Sequence, residues 1–182
     1  GNAITIGVDT QTVFYQPTPF YTSVKIQVLR HPELNESNGS VLVTLLREQM
    51  SKFQWGNGAS LDRIRATHIM VPITTDADGE QIVDWDGMTS LGEELFDKVI
   101  THTHSARQTD ALDDDSLPDL RFEPMLITDV FDEYRQAPAW LNTNQVRLGE
   151  PEFAHVTNSA AGNSVPGFIA PQGLSPHPGN AI

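Results

Sequence analysis

The chain has 182 residues, of which 38% are hydrophobic, so it can bury one sizeable core with an appended element. It contains no cysteine, which excludes disulfides, thiolate metal sites and a cysteine nucleophile. No stretch approaches the roughly 18 uninterrupted apolar residues of a membrane span, so we expect a soluble protein that makes no membrane contact. The lack of cysteine suits a reducing compartment, and we therefore expect the cytoplasm.

The net charge of −13 is unevenly distributed along the chain. Residues 1–72 carry six basic and five acidic residues, residues 73–133 carry three and seventeen, and residues 134–182 carry two of each. Because phosphate contacts need Lys and Arg, the acidic middle segment is expected to avoid nucleic acid. The first segment is nearly neutral, so its charge does not disfavour contact with nucleic acid.

The first part of the chain alternates strand and helix patterns. Apolar residues at helical spacing predict a helix that Asn38 or Ser40 caps and that ends near Phe53. Ser60 is expected to cap a shorter helix that ends at Arg65. Runs of β-branched and aromatic residues before these helices predict three strands, at Ala3–Val8, Val13–Gln16 and Val24–Leu29.

The second part of the chain contains the longest predicted helix. A strand at Ile69–Ile73 precedes a helix that starts at Asp86 or Thr89 and runs to about Arg107, followed by a polar linker over residues 108–118. The remaining predicted elements are a short helix, Leu126–Tyr134, and strands at Val146–Leu148, Phe153–Thr157 and Gly167–Ala170. The predicted class is mixed α/β, a twisted β-rich domain with short helices and one longer helix.

The two ends of the chain carry the same tetrapeptide. Gly179–Ile182 repeats Gly1–Ile4, a match that chance rarely produces at about one in twenty per position. We interpret the repeat as a join at which the end of the chain continues into its beginning. In that order the module starts near Phe122, passes through the join and finishes with the helix that ends near Arg107. A coincidental repeat is the alternative.

Read in that order, the sequence resembles a known family. Lys52–Ile64 (KFQWGNGASLDRI), Ile69–Ile73 (IMVPI) and Asp84–Met88 (DWDGM) resemble the end of a target recognition domain. Such domains occur in the specificity subunits of type I restriction–modification systems and in BcgI-like enzymes. Gly1–Leu29 is similar to the family's mid-domain strands, and Phe122–Tyr134 resembles the helical segment with which the domain begins.

The resemblance implies a DNA reader that has no catalysis and no cofactor of its own, with double-stranded DNA and a DNA methyltransferase subunit as partners. In the family, long helices join two such domains and dock the methyltransferase, and Thr89–Arg107 matches this spacer in position. Residues 1–88 would then form a C-terminal half-domain, 89–120 the spacer helix and acidic linker, and 121–182 an N-terminal half-domain. The halves complete one permuted domain or, across two chains, a homodimer.

Candidate DNA contacts fall into two chemical classes. Base readout needs Arg, Asn or Gln at loop tips, although Asn in a turn commonly serves the backbone. The residues with this chemistry are Gln16, Asn144, Gln145, Arg147, Asn158 and Asn163. Phosphate contact needs basic residues, and the densest group, here named the basic cluster, comprises Arg47, Lys52, Arg63 and Arg65. An ordinary solvated face is the alternative for this cluster.

Catalytic and metal-binding patterns are weak. Asp76–Gly79 resembles part of a calcium loop, but Trp85 stands at the last ligand position, where an acid is required. His102 and His104 are two residues apart on a predicted helix, and there is no nucleophile-elbow or phosphate-loop pattern. We therefore expect no metal site and no enzyme. The main rival function is a protein- or glycan-binding β-rich interaction module, which the acidity and the Pro- and Gly-rich turns favour.

Overall fold

The computed structural model describes residues 2–53, 58–104, 118–136, 141–147 and 149–178. The second copy of the repeated tetrapeptide, residues 179–182, lies outside these ranges, as does Gly1 of the first copy. Most of the predicted acidic linker and residues 54–57, which include Trp55, also lie outside the described residues.

The described residues form a mixed α/β structure, as predicted from the sequence. The helices are α1 (Glu36–Met50), α2 (Leu61–Arg65), α3 (Trp85–His104) and the single turn α4 (Ile127–Val130). The strands are β1 (Ala3–Gly7), β2 (Val13–Gln16), β3 (Phe20–Thr22), β4 (Ile26–Arg30), β5 (His68–Thr75), β6 (Gln81–Val83), β7 (Phe122–Leu126), β8 (Glu133–Gln136), β9 (Phe153–Val156) and β10 (Phe168–Ile169).

Three small sheets share these strands. The largest has the order β2-β1-β4-β8 with antiparallel neighbours throughout. A second sheet, β6-β5-β7, is also antiparallel. The third has the order β10-β9-β3 and contains the parallel pair of β3 with β9. Parallel neighbours need a long connection, and here the connection comprises the residues between Thr22 and Phe153.

The larger apolar cluster lies under the helices. The buried faces of α1 and of β1 and β5 meet there, with Leu42 and Leu46 of α1 fully covered. Helix α3 crosses α1 at close range, since a Cβ added to Gly92 would lie 2.3 Å from the backbone oxygen of Ser37. Only a residue without a Cβ permits this approach, and the two helices therefore pack as one layer.

A smaller apolar cluster joins the two ends of the described chain. Its buried residues are Ala3, Phe20, Ile26, Val28, Ala154 and Val156, with Val165 packed against them. The ring of Phe20 stacks on His177 at 5.6 Å, and the backbones of these two residues exchange hydrogen bonds of 3.0 and 2.7 Å. Residues near 177 are thus fixed to a strand near residue 20.

The first predicted helix starts earlier than expected. Its cap is Asn35, whose side chain accepts a hydrogen bond from the backbone of Asn38, so the prediction of Asn38 or Ser40 as the cap is wrong. Asn38 lies in the first turn and returns a bond to the Asn35 backbone, which completes a capping box. The Ser60 cap of α2 is confirmed, since its hydroxyl accepts from the Arg63 backbone.

The segment after residue 120 departs most from expectation. The predicted helix Leu126–Tyr134 is limited to the single turn α4, and residues 133–136 form β8 instead. The reason is tertiary: β8 pairs with β4, and Glu133 lies 3.5 Å from Arg30 across that pair. At the predicted strand Val146–Leu148, residues 146 and 147 are not in a strand, and Leu148 lies outside the described residues.

The longest helix agrees with the sequence in position. Helix α3 begins at Trp85 and is described as far as His104, while residues 105–107 of the predicted helix lie outside the described residues. The Asp84 carboxylate accepts a hydrogen bond from the Gly87 backbone at 2.8 Å and so caps the first turn. Within the described part of the chain, no helix has both the length and the apolar character needed to cross a bilayer.

Candidate nucleic-acid interface

The basic cluster lies on α1, on α2 and on the segment that joins them. Arg47 is exposed, yet its guanidinium donates two hydrogen bonds to the Val13 carbonyl, at 3.1 and 2.9 Å. The same group lies 5.0 Å from the ring centre of Phe14. Arg47 is therefore held against β2 and contributes to packing as well as to surface charge.

The other three basic residues are also exposed. Lys52 follows α1 directly and donates to the Gln49 side chain, while Arg63 and Arg65 lie in the last turn of α2. The Arg63 guanidinium donates to the Gly58 carbonyl at 3.0 Å, which orients it along the loop before α2. A cation that is oriented but still accessible has the arrangement that a phosphate contact requires.

Three of the amide candidates serve the fold in this structure. Gln16 is buried, and its amide donates to the Thr5 hydroxyl at 3.2 Å and to the Asn163 carbonyl at 3.1 Å. Asn163 adopts a positive φ of 55° and donates to the Tyr15 carbonyl at 2.9 Å. The Asn158 amide donates to Val24 at 3.1 Å. These side chains tie the turn after β9 to β2 and to the residues after β3.

The remaining candidates lie together on the loop 141–147, here named the readout loop. Asn144, Gln145 and Arg147 are all exposed. The loop is anchored at both ends: Leu141 donates to the Thr22 carbonyl at 2.8 Å, and the Arg147 backbone exchanges two bonds with the Gln172 side chain, at 2.9 and 3.2 Å. A fixed backbone with exposed Asn, Gln and Arg side chains suits recognition of base edges.

A pocket of about 470 Å³ lies beside the readout loop, between that loop and strands β9 and β10. Its wall includes Asn144, His155 and Phe168. His155 is 5% exposed, and its Nε2 atom is shielded from solvent without a hydrogen-bond partner among the described residues. Burial lowers the pKa of His155, and a hydrogen bond with the Leu141 backbone opposes that shift. The imidazole is therefore neutral at pH 7.

Sequence reasoning missed His155 and Phe168 as candidate residues. Both belong to short strands that the sequence did predict, but their position at one pocket follows from the register that sets Phe168 opposite Ala154. In the sequence, Phe168 is simply an aromatic residue between Gly167 and Ile169. Its 61% exposure is known from the structure alone. An exposed aromatic on a strand is not distinctive by itself.

Helix α3 presents a different surface. Its acidic residues include Glu93, Glu94 and Asp97, and between them lie large apolar side chains that remain exposed. These apolar residues are Leu95, Phe96, Val99 and Ile100, and the first three line a groove of about 280 Å³ between α3 and α1. Exposed apolar side chains that lie close together on a surface are typical of contacts with other macromolecules.

No three metal-ligating side chains converge within the described ranges.

A comparison of the sequence with models of protein families identifies one family. A family model for the type I restriction modification DNA specificity domain matches residues 1–101, more than half of the chain. The chain belongs to this family. Domains of this kind recognise DNA sequence within restriction–modification complexes and do not themselves catalyse. Neither a curated protein nor a solved structure matches the chain.

Proposed function

We propose that the chain reads a DNA sequence with its readout loop, holds the duplex through the basic cluster, and leaves the chemistry to a methyltransferase subunit. The family match over residues 1–101 carries this proposal. The exposure of Arg63 and Arg65 and of the readout loop supports it, because these residues supply phosphate contacts and base contacts respectively. Gln16 would act indirectly, by holding the turn that carries Asn163.

The methyltransferase contact is proposed for α3. By the sequence resemblance the helix corresponds to the family's spacer, and it combines exposed apolar side chains with acidic residues. Acidic groups repel phosphates, so this surface favours a protein partner over DNA. A separation of functions follows, with the nucleic acid on the loops and the enzyme subunit on the helix.

We further propose that residues 1–88 and 121–182 are the two halves of one recognition domain in permuted order, related to those of BcgI-like enzymes, with residues 89–120 as spacer and linker. Two observations support this arrangement. Strand β3 pairs with β9, and β4 pairs with β8, so both halves contribute to the same sheets within one chain. This pairing favours the permuted monomer over a homodimer that exchanges halves.

The test separates the two surfaces by substitution. Arg63→Ala with Arg65→Ala should weaken binding to all duplexes about equally, and the log–log salt slope should become shallower by about 0.9 for each phosphate that the variant no longer neutralises. Affinity for the methyltransferase subunit of the same system should not change. Val99→Asp should have the opposite pattern, because it places a charge in the apolar surface of α3 and not near the DNA.

Two matched substitutions control for charge and for helix stability. Arg121→Ala removes an exposed cation that already pairs with Glu123 at 2.7 Å, so it should leave the salt slope unchanged. Asp97→Ala alters α3 without reducing its apolar surface. If the wild-type chain binds no duplex at about 50 mM salt, even with the methyltransferase subunit present, the proposal is wrong.

A further inference from the structure

The pocket beside the readout loop shares Asn144 with the proposed DNA contacts and adds groups that those contacts do not use. Its described lining combines apolar groups from Val146, Pro166 and Ile169 with the aromatic ring of Phe168, the exposed amide of Asn144 and the imidazole of His155. His155 Nε2 has no hydrogen-bond partner among the described residues. Because this atom is shielded from solvent, His155 contributes to the wall of the pocket, and Asn144 supplies an exposed amide.

The described lining of the pocket offers no charged group to a ligand. None of the described residues that line it carries a formal charge, and the buried His155 is neutral at pH 7. A phosphate or carboxylate placed there would lose its water without gaining a cation. The favoured ligand is therefore an uncharged group that has an apolar face and a polar edge.

A nucleobase has both of these features. Its faces stack on aromatic side chains, and its edge carries donors and acceptors with which an Asn amide can form hydrogen bonds. Phe168 is 61% exposed on β10 at this pocket, so its ring is accessible for stacking. His155 is anchored next to it, since its backbone donates to Gly167 at 3.1 Å.

We propose that this pocket binds an unstacked nucleobase of the bound DNA, with Phe168 against the face of the base, Asn144 at its edge and His155 in the pocket wall. The inference rests on the proposed function, because a duplex must first be held by the chain. Extruding a paired base costs energy, and the cost is least when the base is already unpaired. The pocket should therefore favour a duplex that offers an extrahelical base.

The test compares three duplexes of one sequence: fully paired, with a single bulged adenine, and with an abasic bulge at the same place. The abasic duplex has the same backbone distortion but no base. Wild type should bind the adenine bulge at least about fivefold more tightly than the abasic bulge, from the usual strength of stacking between a base and an aromatic side chain. Phe168→Ala should abolish this preference without changing affinity for the paired duplex.

Two further variants keep the test specific. Phe122→Ala removes another partly exposed Phe, which lines the groove between α1 and α3, and should preserve the preference for the base. Asn144→Ala lies on the exposed loop, so it should fold normally and reduce the preference in part.

The outcomes separate the two proposals. Binding of paired duplexes with equal affinity for the two bulges would overturn the nucleobase pocket and leave the proposed function standing. Loss of methyltransferase affinity in Phe168→Ala, with the base preference intact, would identify the pocket as a protein contact and also overturn it. If no duplex binds, both proposals fall together.

Discussion

The two apolar clusters of this protein are built in different ways. The larger one lies mainly within the segment that matches the family, with α1, α2, β1 and β5 contributing most of its buried residues. The smaller one exists only because residues 153–177 return to strands near the beginning of the chain. The comparison shows that one part of the fold is assembled mostly from neighbouring segments and the other from distant ones.

The location of the candidate site follows from this difference. The readout loop and the pocket both lie against the sheet of β3, β9 and β10, and β3 and β9 enclose the smaller cluster. Tyr21 adds to the connection, since its hydroxyl donates to the Leu174 carbonyl and accepts from the Gln172 backbone, each at 3.1 Å. The residues proposed to contact bases are thus supported by the part of the core with the fewest buried side chains.

The largest expected effect comes from the centre of the smaller cluster. Phe20→Ala should lower the free energy of unfolding by about 3–5 kcal/mol, because it leaves a cavity and removes the stack on His177. Chemical denaturation measures the change. Hydrogen exchange should also show that the amides of β9 and β10 become less protected than those of β5.

Two substitutions provide the comparison for Phe20. Leu46→Ala truncates a fully buried residue of the larger cluster and should cost about 2–5 kcal/mol, with protection decreasing first around α1 and β5. Phe168→Ala, at an exposed position, should change stability by less than about 0.5 kcal/mol. An equal decrease of protection across all strands in Phe20→Ala would mean that the two clusters unfold as one unit.

A smaller effect is expected at the crossing of the two long helices. Gly92→Ala places a methyl group against the Ser37 backbone, which cannot rotate away, so α1 and α3 must separate at a cost of about 1–3 kcal/mol. Gly167→Ala is the matched control beside the smaller cluster, because nothing lies within 4 Å of its added Cβ. Circular dichroism melting curves of the two variants measure the difference, and similar melting temperatures would contradict the close helix packing.

The sequence predicted the elements that depend on local signals. Ser60 followed by the short helix α2, and the β-branched and aromatic residues of β2, are local patterns, and both predictions were confirmed. The helix predicted over residues 126–134 was wrong because pairing with β4 decides the state of residues 133–136. Local propensity gives no information about a partner strand that lies about a hundred residues away.

The candidate site was predictable in composition but not in geometry. Exposed cations and loop amides could be selected by residue type, yet nothing local distinguished Gln16, which is buried, from Gln145, which is exposed. The pocket needed the register between β9 and β10 and the return of the readout loop to β3. These are long-range contacts, and they depend on the smaller cluster.

The smallest expected effect concerns stability at acid pH, and a residue beside the larger cluster has an effect of opposite sign at alkaline pH. Burial lowers the pKa of His155, which lies beside the smaller cluster, so the unfolded chain takes up a proton near pH 6.5 before the folded one does. Stability should therefore fall as the pH drops below about 6.5, by less than about 1 kcal/mol at pH 6. His155→Gln should remove this part of the acid dependence.

Tyr15, which packs against the larger cluster, should act at the other end of the pH scale. Burial, with the charge of Glu36, raises the pKa of Tyr15 to about 12 from its usual value of 10.0. The unfolded chain then loses its phenolic proton first, so stability should fall as the pH rises from about 10 toward 12. Denaturation midpoints of wild type, His155→Gln and Tyr15→Phe, measured below about pH 6.5 and from about pH 10 to 12, separate the acid effect from the alkaline effect. If the stability of His155→Gln falls below about pH 6.5 as much as that of wild type, the imidazole is not kept neutral by its burial in the pocket wall.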